Sequence, residues 1–136
     1  MAGLRERFGR PLRLAILGGG PGSWIGHMHR SAAELDGWWR VVGGVFSSDP
    51  ARSREGGASL GFDRGRCYGT LDELVAKECA RPDPVDAVAI TTPNDTHYPL
   101  AAAALDAGFD VVCDKPVTHD AAQARDLVAR TRRHGR

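Results

Sequence analysis

Short apolar runs alternate with helically patterned segments along this chain. Residues 12–17 (LRLAIL) run straight into Gly18-Gly19-Gly20 and read as a buried parallel strand. A helix is expected over about residues 25–35, ended by Asp36-Gly37. Residues 41–46 (VVGGVF) form the second expected strand, weakened by Gly43-Gly44. Asp49-Pro50 pairs an N-cap with a first-turn proline. The helix it starts is poor, because Gly56-Gly57 interrupt it before Leu60-Gly61. Cys67-Tyr68 is expected as a short third strand, and Thr70 and Glu73 have capping-box spacing for a helix toward Cys79. Residues 85–92 (VDAVAITT) give the clearest strand pattern, the fourth. An alanine-rich helix over about 98–107 ends at Gly108, and residues 110–113 form the fifth strand. Thr118 or Asp120 caps a last helix over about 121–133.

Strands alternating with helices demand a parallel sheet covered on both faces. Right-handed crossovers then predict a doubly wound α/β sheet of order 3-2-1-4-5. One domain is expected over residues 12–136, preceded by a flexible tail, 1–11. Such sheets bind ligands beyond the carboxyl ends of their strands, near the switch point between the first and fourth. Three polar motifs fall at such ends: after the first, fourth and fifth strands. Their convergence is worth more than any one of them.

Composition narrows the picture only slightly. The chain has 136 residues, 42% hydrophobic and 26% charged, with net charge +1. These values suit an ordinary globular domain and give no case for a nucleic-acid or membrane partner. Cys67, Cys79 and Cys113 have no CxxC spacing, so reduced cytoplasmic thiols are expected rather than disulfides or zinc. No metal site is expected. Lys77 and Lys115 are the only lysines among 18 basic residues.

The glycine turn after the first strand carries the first candidate chemistry. Glycines let the backbone turn tightly and approach a pyrophosphate, whose charge a helix N-terminus favours. Gly18, Gly20, Gly22, Ser23, Trp24 and Ile25 are the candidate cofactor contacts. The pattern is imperfect: Ser23 stands where GxGxxG requires its third glycine, and the next is Gly26. At the end of the second strand, NAD sites usually place an acid against the adenosine ribose. Here the strand ends in Ser47-Ser48, with Asp49 committed to capping and Arg52 and Arg54 nearby. Ser47 and Arg52 are candidate contacts for a 2′-phosphate, equally readable as a solvated helix face, so NAD and NADP both stay open. Thr92 and Pro93 are candidate cofactor contacts, Asn94 and Thr96 offer hydrogen-bonding side chains beside the expected nicotinamide ribose, and His97 is either a pH-sensitive ligand or acid there or a residue that caps the following helix or packs under the loop. His27 and His29 share a helix, but metal binding there lacks carboxylate company. Finally, Asp114-Lys115-Pro116 closes the last strand. A lysine there can donate a hydrogen bond to a substrate oxygen.

Together these residues resemble the N-terminal domain of the glucose–fructose oxidoreductase / inositol dehydrogenase / rhizopine-catabolism family (Gfo/Idh/MocA). The resemblance covers about residues 12–135. It rests on Gly18-Gly19-Gly20…Ile25-Gly26-His27-Met28-His29, on Thr91-Thr92-Pro93-Asn94-Asp95-Thr96-His97 and on Val111-Val112-Cys113-Asp114-Lys115-Pro116. The family usually has Glu where this chain has Asp114. The resemblance implies NAD(P)-dependent oxidation of a secondary hydroxyl on a sugar, cyclitol or related compound. It implies that Lys115 is catalytic, and that Asn94 and Asp114 shape the nicotinamide ribose site. It also implies a sixth strand and a second α/β domain holding most substrate contacts, a catalytic histidine and the oligomer interface. The chain is therefore expected to be a truncated frame, a fragment or an isolated domain, inactive alone. Two other readings remain: a non-catalytic dinucleotide sensor or partner-completed module, and a flavodoxin-like regulatory domain.

Overall fold

The computed structural model describes residues 8–135. Four strands form one parallel sheet: β1 (Leu12–Gly18), β2 (Trp39–Val45), β3 (Ala87–Thr91) and β4 (Asp110–Cys113). The spatial order is β2-β1-β3-β4. Among the described residues, five α-helices accompany it: α1 (Trp24–Glu34), α2 (Pro50–Ser59), α3 (Leu71–Cys79), α4 (His97–Asp106) and α5 (Ala121–His134). The doubly wound α/β class is present; the expected five-stranded order 3-2-1-4-5 is not. The missing strand is Cys67-Tyr68, which makes one isolated parallel bridge, Gly44 to Cys67. The Tyr68 amide also donates to the Gly44 carbonyl at 2.9 Å. A 3₁₀ turn, Arg64–Arg66, immediately precedes it and the α3 cap, Thr70, follows, so no length remains for a ladder.

Period-two alternation divides the core between the two faces of the sheet. Leu14 and Ile16 of β1 share one face with Ala87 and Ala89 of β3. Ala15 and Leu17 share the other with Val88 and Ile90. The second face is the larger, and Leu74 of α3, Ala104 and Leu105 of α4 and Leu127 of α5 close it.

The helix starts follow their capping chemistry. The side chains of Asp49, Thr70 and Asp120 accept from the amides of Arg52, Glu73 and Gln123. The expected interruption of α2 is absent. A Cβ at Gly57 would lie 2.6 Å from both the Cys67 sulfur and the Phe46 ring. Close packing thus requires glycine there and overrides its poor helix propensity.

The expected flexible tail, 1–11, falls mostly outside the described residues, since 1–7 are not among them. Its last part is anchored: Arg10 makes a forked ion pair with Asp86, at 2.7 and 2.9 Å. Among the described residues, no helix is long and apolar enough to cross a membrane.

Candidate functional site

The carboxyl ends of β1, β2 and β3 open onto a continuous cleft. One part, about 540 Å³, is walled by Gly18, Ser47, Thr92 and Pro93, with Leu17 and Leu71 supplying apolar surface. The adjoining part, about 450 Å³, runs between the glycine turn and α2, past Gly20, Ser23, Ser47 and Arg52. Ser23, Phe46 and Ser47 line both.

The turn is built by backbone contact. A Cβ on Gly20 would stand 2.4 Å from the Phe46 carbonyl oxygen. Gly19 meets Gly26 of α1 so closely that a Cβ on Gly26 would lie 2.3 Å from the Gly19 Cα. Gly26 therefore performs the helix-packing role expected three residues earlier, where Ser23 stands. Ser23 is instead the N-cap of α1, its Oγ accepting from the Gly26 amide at 3.1 Å. Gly22 and Trp24 are exposed and Ile25 is half-buried on this turn; none of the three lines the cleft.

Arg30, one helical turn after Gly26, donates to the Gly19 carbonyl at 2.6 Å. Burial pulls its guanidinium below the ordinary arginine value. Arg30 thus fastens the turn from behind, a role the sequence alone did not suggest. Its one available signal was the i+4 spacing from Gly26.

Thr91 is buried and donates its hydroxyl to the Leu17 carbonyl, tying β3 to β1 at the mouth of the cleft. Thr92 and Pro93 form its floor, and Asn94 opens a 3₁₀ turn on the exposed side. His97 does not face the cleft. It is 1% exposed, with Nε2 2.8 Å from the Thr92 carbonyl and Nδ1 2.8 Å from the Pro116 carbonyl. Each ring nitrogen faces a carbonyl oxygen, and a neutral imidazole can donate to one of the two, so His97 packs beneath the loops, between the one after β3 and the one after β4.

Asp114, Lys115 and Pro116 follow β4, with a cis peptide before Pro116. Lys115 is exposed, and its amide donates to the Asp114 carboxylate at 2.8 Å. The other Asp114 oxygen lies 4.0 Å from Nε2 of His29 on α1. The carboxylate that His29 lacked in sequence therefore arrives from 85 positions away. Burial and then the Asp114 charge push the neighbouring Cys113 thiol up. Asn94, Asp114 and Lys115 do not line the cleft itself; they stand on the loops that leave β3 and β4.

At the end of β2, Ser47 is half-buried and its Oγ accepts from the Asp49 amide at 3.2 Å. Asp49 caps α2 through the Arg52 amide at 2.7 Å. Arg54 is engaged elsewhere, donating to Pro50 and Glu73. Arg52 is exposed on the cleft wall and, among the described residues, its guanidinium has no partner.

A profile of the Gfo/Idh/MocA oxidoreductase family, NAD-binding Rossmann fold, matches residues 12–136. The chain is 38% identical over 128 residues to the uncharacterized oxidoreductase YfiI of Bacillus subtilis, covering 93% of this chain and 33% of that protein. It is 34% identical over 121 residues to inositol 2-dehydrogenase 4 of Saccharopolyspora erythraea, covering 88% and 32%. Among solved structures, an inositol dehydrogenase homolog from Azotobacter vinelandii, complexed with NADH and myo-inositol, superposes with a TM-score of 0.89 at 43% identity. The match covers 93% of this chain and 34% of that one. The chain thus spans about a third of the length of the curated relatives it matches. A glycine turn under a helix N-terminus, at the switch point of a parallel sheet, is shared by fold and by sequence: the chain belongs to the Gfo/Idh/MocA oxidoreductase family, as its NAD-binding Rossmann domain.

Proposed function

We propose that this domain serves an NAD(P)-dependent dehydrogenase acting on a secondary hydroxyl of a sugar, cyclitol or related polyol. One observation carries the reading. The glycine turn, Thr92-Pro93-Asn94 and Asp114-Lys115 leave the carboxyl ends of three neighbouring parallel strands, where doubly wound sheets bind their ligands. The inositol and NADH in the Azotobacter homolog support the same substrate and cofactor class.

The cleft suits a dinucleotide. The close backbone approaches at Gly19, Gly20 and Gly26 leave room for a pyrophosphate that any side chain on the turn would reduce. Gly18, Gly20, Gly22 and Ser23 would shape that part of the site. The Trp24 and Ile25 amides, in the first turn of α1, have no intrahelical acceptor and would receive the negative charge. Thr92 and Pro93 would support the nicotinamide, with Asn94 and Asp114 around its ribose. When bound, the nicotinamide supplies the carbon that takes hydride from the carbinol carbon. Lys115 would donate a hydrogen bond from its ammonium to the substrate oxygen and stabilise the charge that develops there as the hydroxyl proton passes to a base supplied by the substrate-binding part. His97 would position Lys115 through Pro116 rather than touch the ligand.

We place most substrate contacts outside these 136 residues and expect the isolated chain to bind dinucleotide with little turnover. A cytoplasmic setting suits its three free cysteines. Two measurements test the reading. Titration with NADH and NADPH, followed by fluorescence, should show saturable binding by at least one; binding by neither refutes the proposed site. In a longer form carrying the substrate-binding part, Lys115→Ala should lower kcat by about 10²–10⁴-fold. Unchanged turnover would remove Lys115 from the mechanism.

A further inference from the structure

A second cavity lies at the opposite end of the sheet from the cofactor cleft. It holds about 580 Å³ and opens at the amino ends of β1 and β2, beside the loop that follows α2. Arg13 of β1 and Arg40 of β2 both line it. They are register partners on neighbouring parallel strands, so their side chains leave the same face of the sheet side by side. Two like charges so placed repel each other. Neither forms an ion pair among the described residues. Arg40 is exposed and its guanidinium has no partner there. Arg13 spends its Nε on the Pro84 carbonyl at 2.7 Å, and its two terminal nitrogens have none. The aspartates at this end are already taken: Asp86 holds Arg10, and Asp83 holds Arg66 and Arg81.

The rest of the wall is not simply basic. Glu34 and Asp63 also line the cavity. Each spends one carboxylate oxygen on a backbone amide, Val41 at 3.1 Å and Gly65 at 2.9 Å. The second oxygen of each is free among the described residues. Phe62 adds an apolar surface. Paired guanidiniums fit the oxygens of a carboxylate or phosphate. Free carboxylate oxygens accept protons from hydroxyls and repel a bare anion that offers none. We infer that this cavity is a second binding site, for a small polyhydroxylated anion: a sugar acid or a sugar phosphate. Arg13 and Arg40 take its anionic group, and Glu34 and Asp63 take its hydroxyls. The volume suits such a ligand, since small-molecule pockets run from about 300 to 1,000 Å³.

This site is distinct from the dinucleotide cleft, and the inference does not depend on the dinucleotide reading. The two cavities share no lining residue. Phe62 stacks on Phe46, ring centroids 5.2 Å apart, and Phe46 lines the cofactor cleft. That aromatic pair spans from one cavity to the other.

Amide NMR titrations of the isotope-labelled chain test the inference. The probes are gluconate, glucose 6-phosphate, inorganic phosphate (the anion without hydroxyls) and myo-inositol (the hydroxyls without an anion), at matched ionic strength. Gluconate or glucose 6-phosphate should give saturable shifts at Val41, Gly61 and Phe62, and the tighter of the two identifies the anionic group. Its affinity should exceed those of inorganic phosphate and myo-inositol by about tenfold. Arg40→Gln, an exposed change, should weaken that binding about tenfold. Asp63→Asn should erase most of the advantage over inorganic phosphate. Retained spectral dispersion shows that both variants fold. Shifts confined to the glycine turn would put the anion in the cofactor cleft and overturn the inference. So would the absence of saturable shifts with either sugar anion, an unchanged affinity in Arg40→Gln, or inorganic phosphate binding as tightly as both.

Discussion

Gly26→Ala sets two effects of opposite sign against each other inside the cofactor turn. Gly26 lies in the first turn of α1. Propensity alone favours alanine in a helix by about 1 kcal/mol. The packing opposes it. The new Cβ would stand 2.3 Å from the Gly19 Cα and 2.6 Å from its carbonyl oxygen. Ordinary carbon contacts lie at roughly 3.5–4.0 Å, so α1 would have to withdraw by more than about 1 Å. Both obstructing atoms are backbone, and no side chain can rotate away. Withdrawal would also stretch the Arg30 bond to Gly19, now 2.6 Å. Crowding of this kind costs about 1–3 kcal/mol, which set against the propensity gain of about 1 kcal/mol leaves a net loss of up to about 2 kcal/mol. Urea unfolding reads this as a lower midpoint at unchanged slope. Dinucleotide affinity should fall about tenfold, since the turn that shapes the pyrophosphate site moves with Gly19. A Gly26→Ala protein as stable as the parent, with affinity intact, would show that the helix and turn do not need their close approach.

Two further changes probe the scaffold. Tyr68→Phe removes the hydroxyl that donates to the wholly buried Glu78 carboxylate at 2.5 Å; Arg66 at 3.4 Å and the Val85 amide at 2.9 Å remain. Burial and then Glu78 hold that phenol above its ordinary value. The change should cost about 1–3 kcal/mol in urea unfolding, and a loss below about 0.5 kcal/mol would mean that the network relaxes or admits water. Asp86 gives a pH dependence. Burial works to raise its carboxyl, but Arg10 and the Arg13 amide outweigh burial and hold it below the ordinary value. A carboxyl lowered by folding stabilises above its unfolded value of about 4, and that contribution disappears as pH falls through the folded value. The urea midpoint should therefore drop between about pH 5 and 3, less steeply in Asp86→Asn. Identical slopes in the two proteins would show that Asp86 has no part in the acid transition.

Local chemistry was well expressed in the sequence. The first strand before three glycines, the cap residues Asp49, Thr70 and Asp120, and the strand before Thr92 each depend on neighbours within a few positions. What escaped depends on contacts across the chain. Cys67-Tyr68 has strand-forming residues, but the turn and cap beside it limit it to a single bridge. Gly57 looks like a helix breaker until Phe46 and Cys67 are seen against it. His29 and Asp114 are sequence strangers that β4 brings within 4.0 Å. His97 was legible as a residue that could pack under its loop, but its partner on the other loop, Pro116, was not.

That histidine constrains how the site can move. With one ring nitrogen 2.8 Å from the carbonyl of Thr92 and the other 2.8 Å from that of Pro116, the buried His97 ring packs between the loops beyond β3 and β4 and couples their positions. On the proposed mechanism, the surface under the nicotinamide and the ammonium beside the substrate travel together. On that mechanism, closure onto a substrate would carry Lys115 and the Thr92 loop forward together. The alignment for hydride transfer and the alignment for proton departure are then one degree of freedom rather than two.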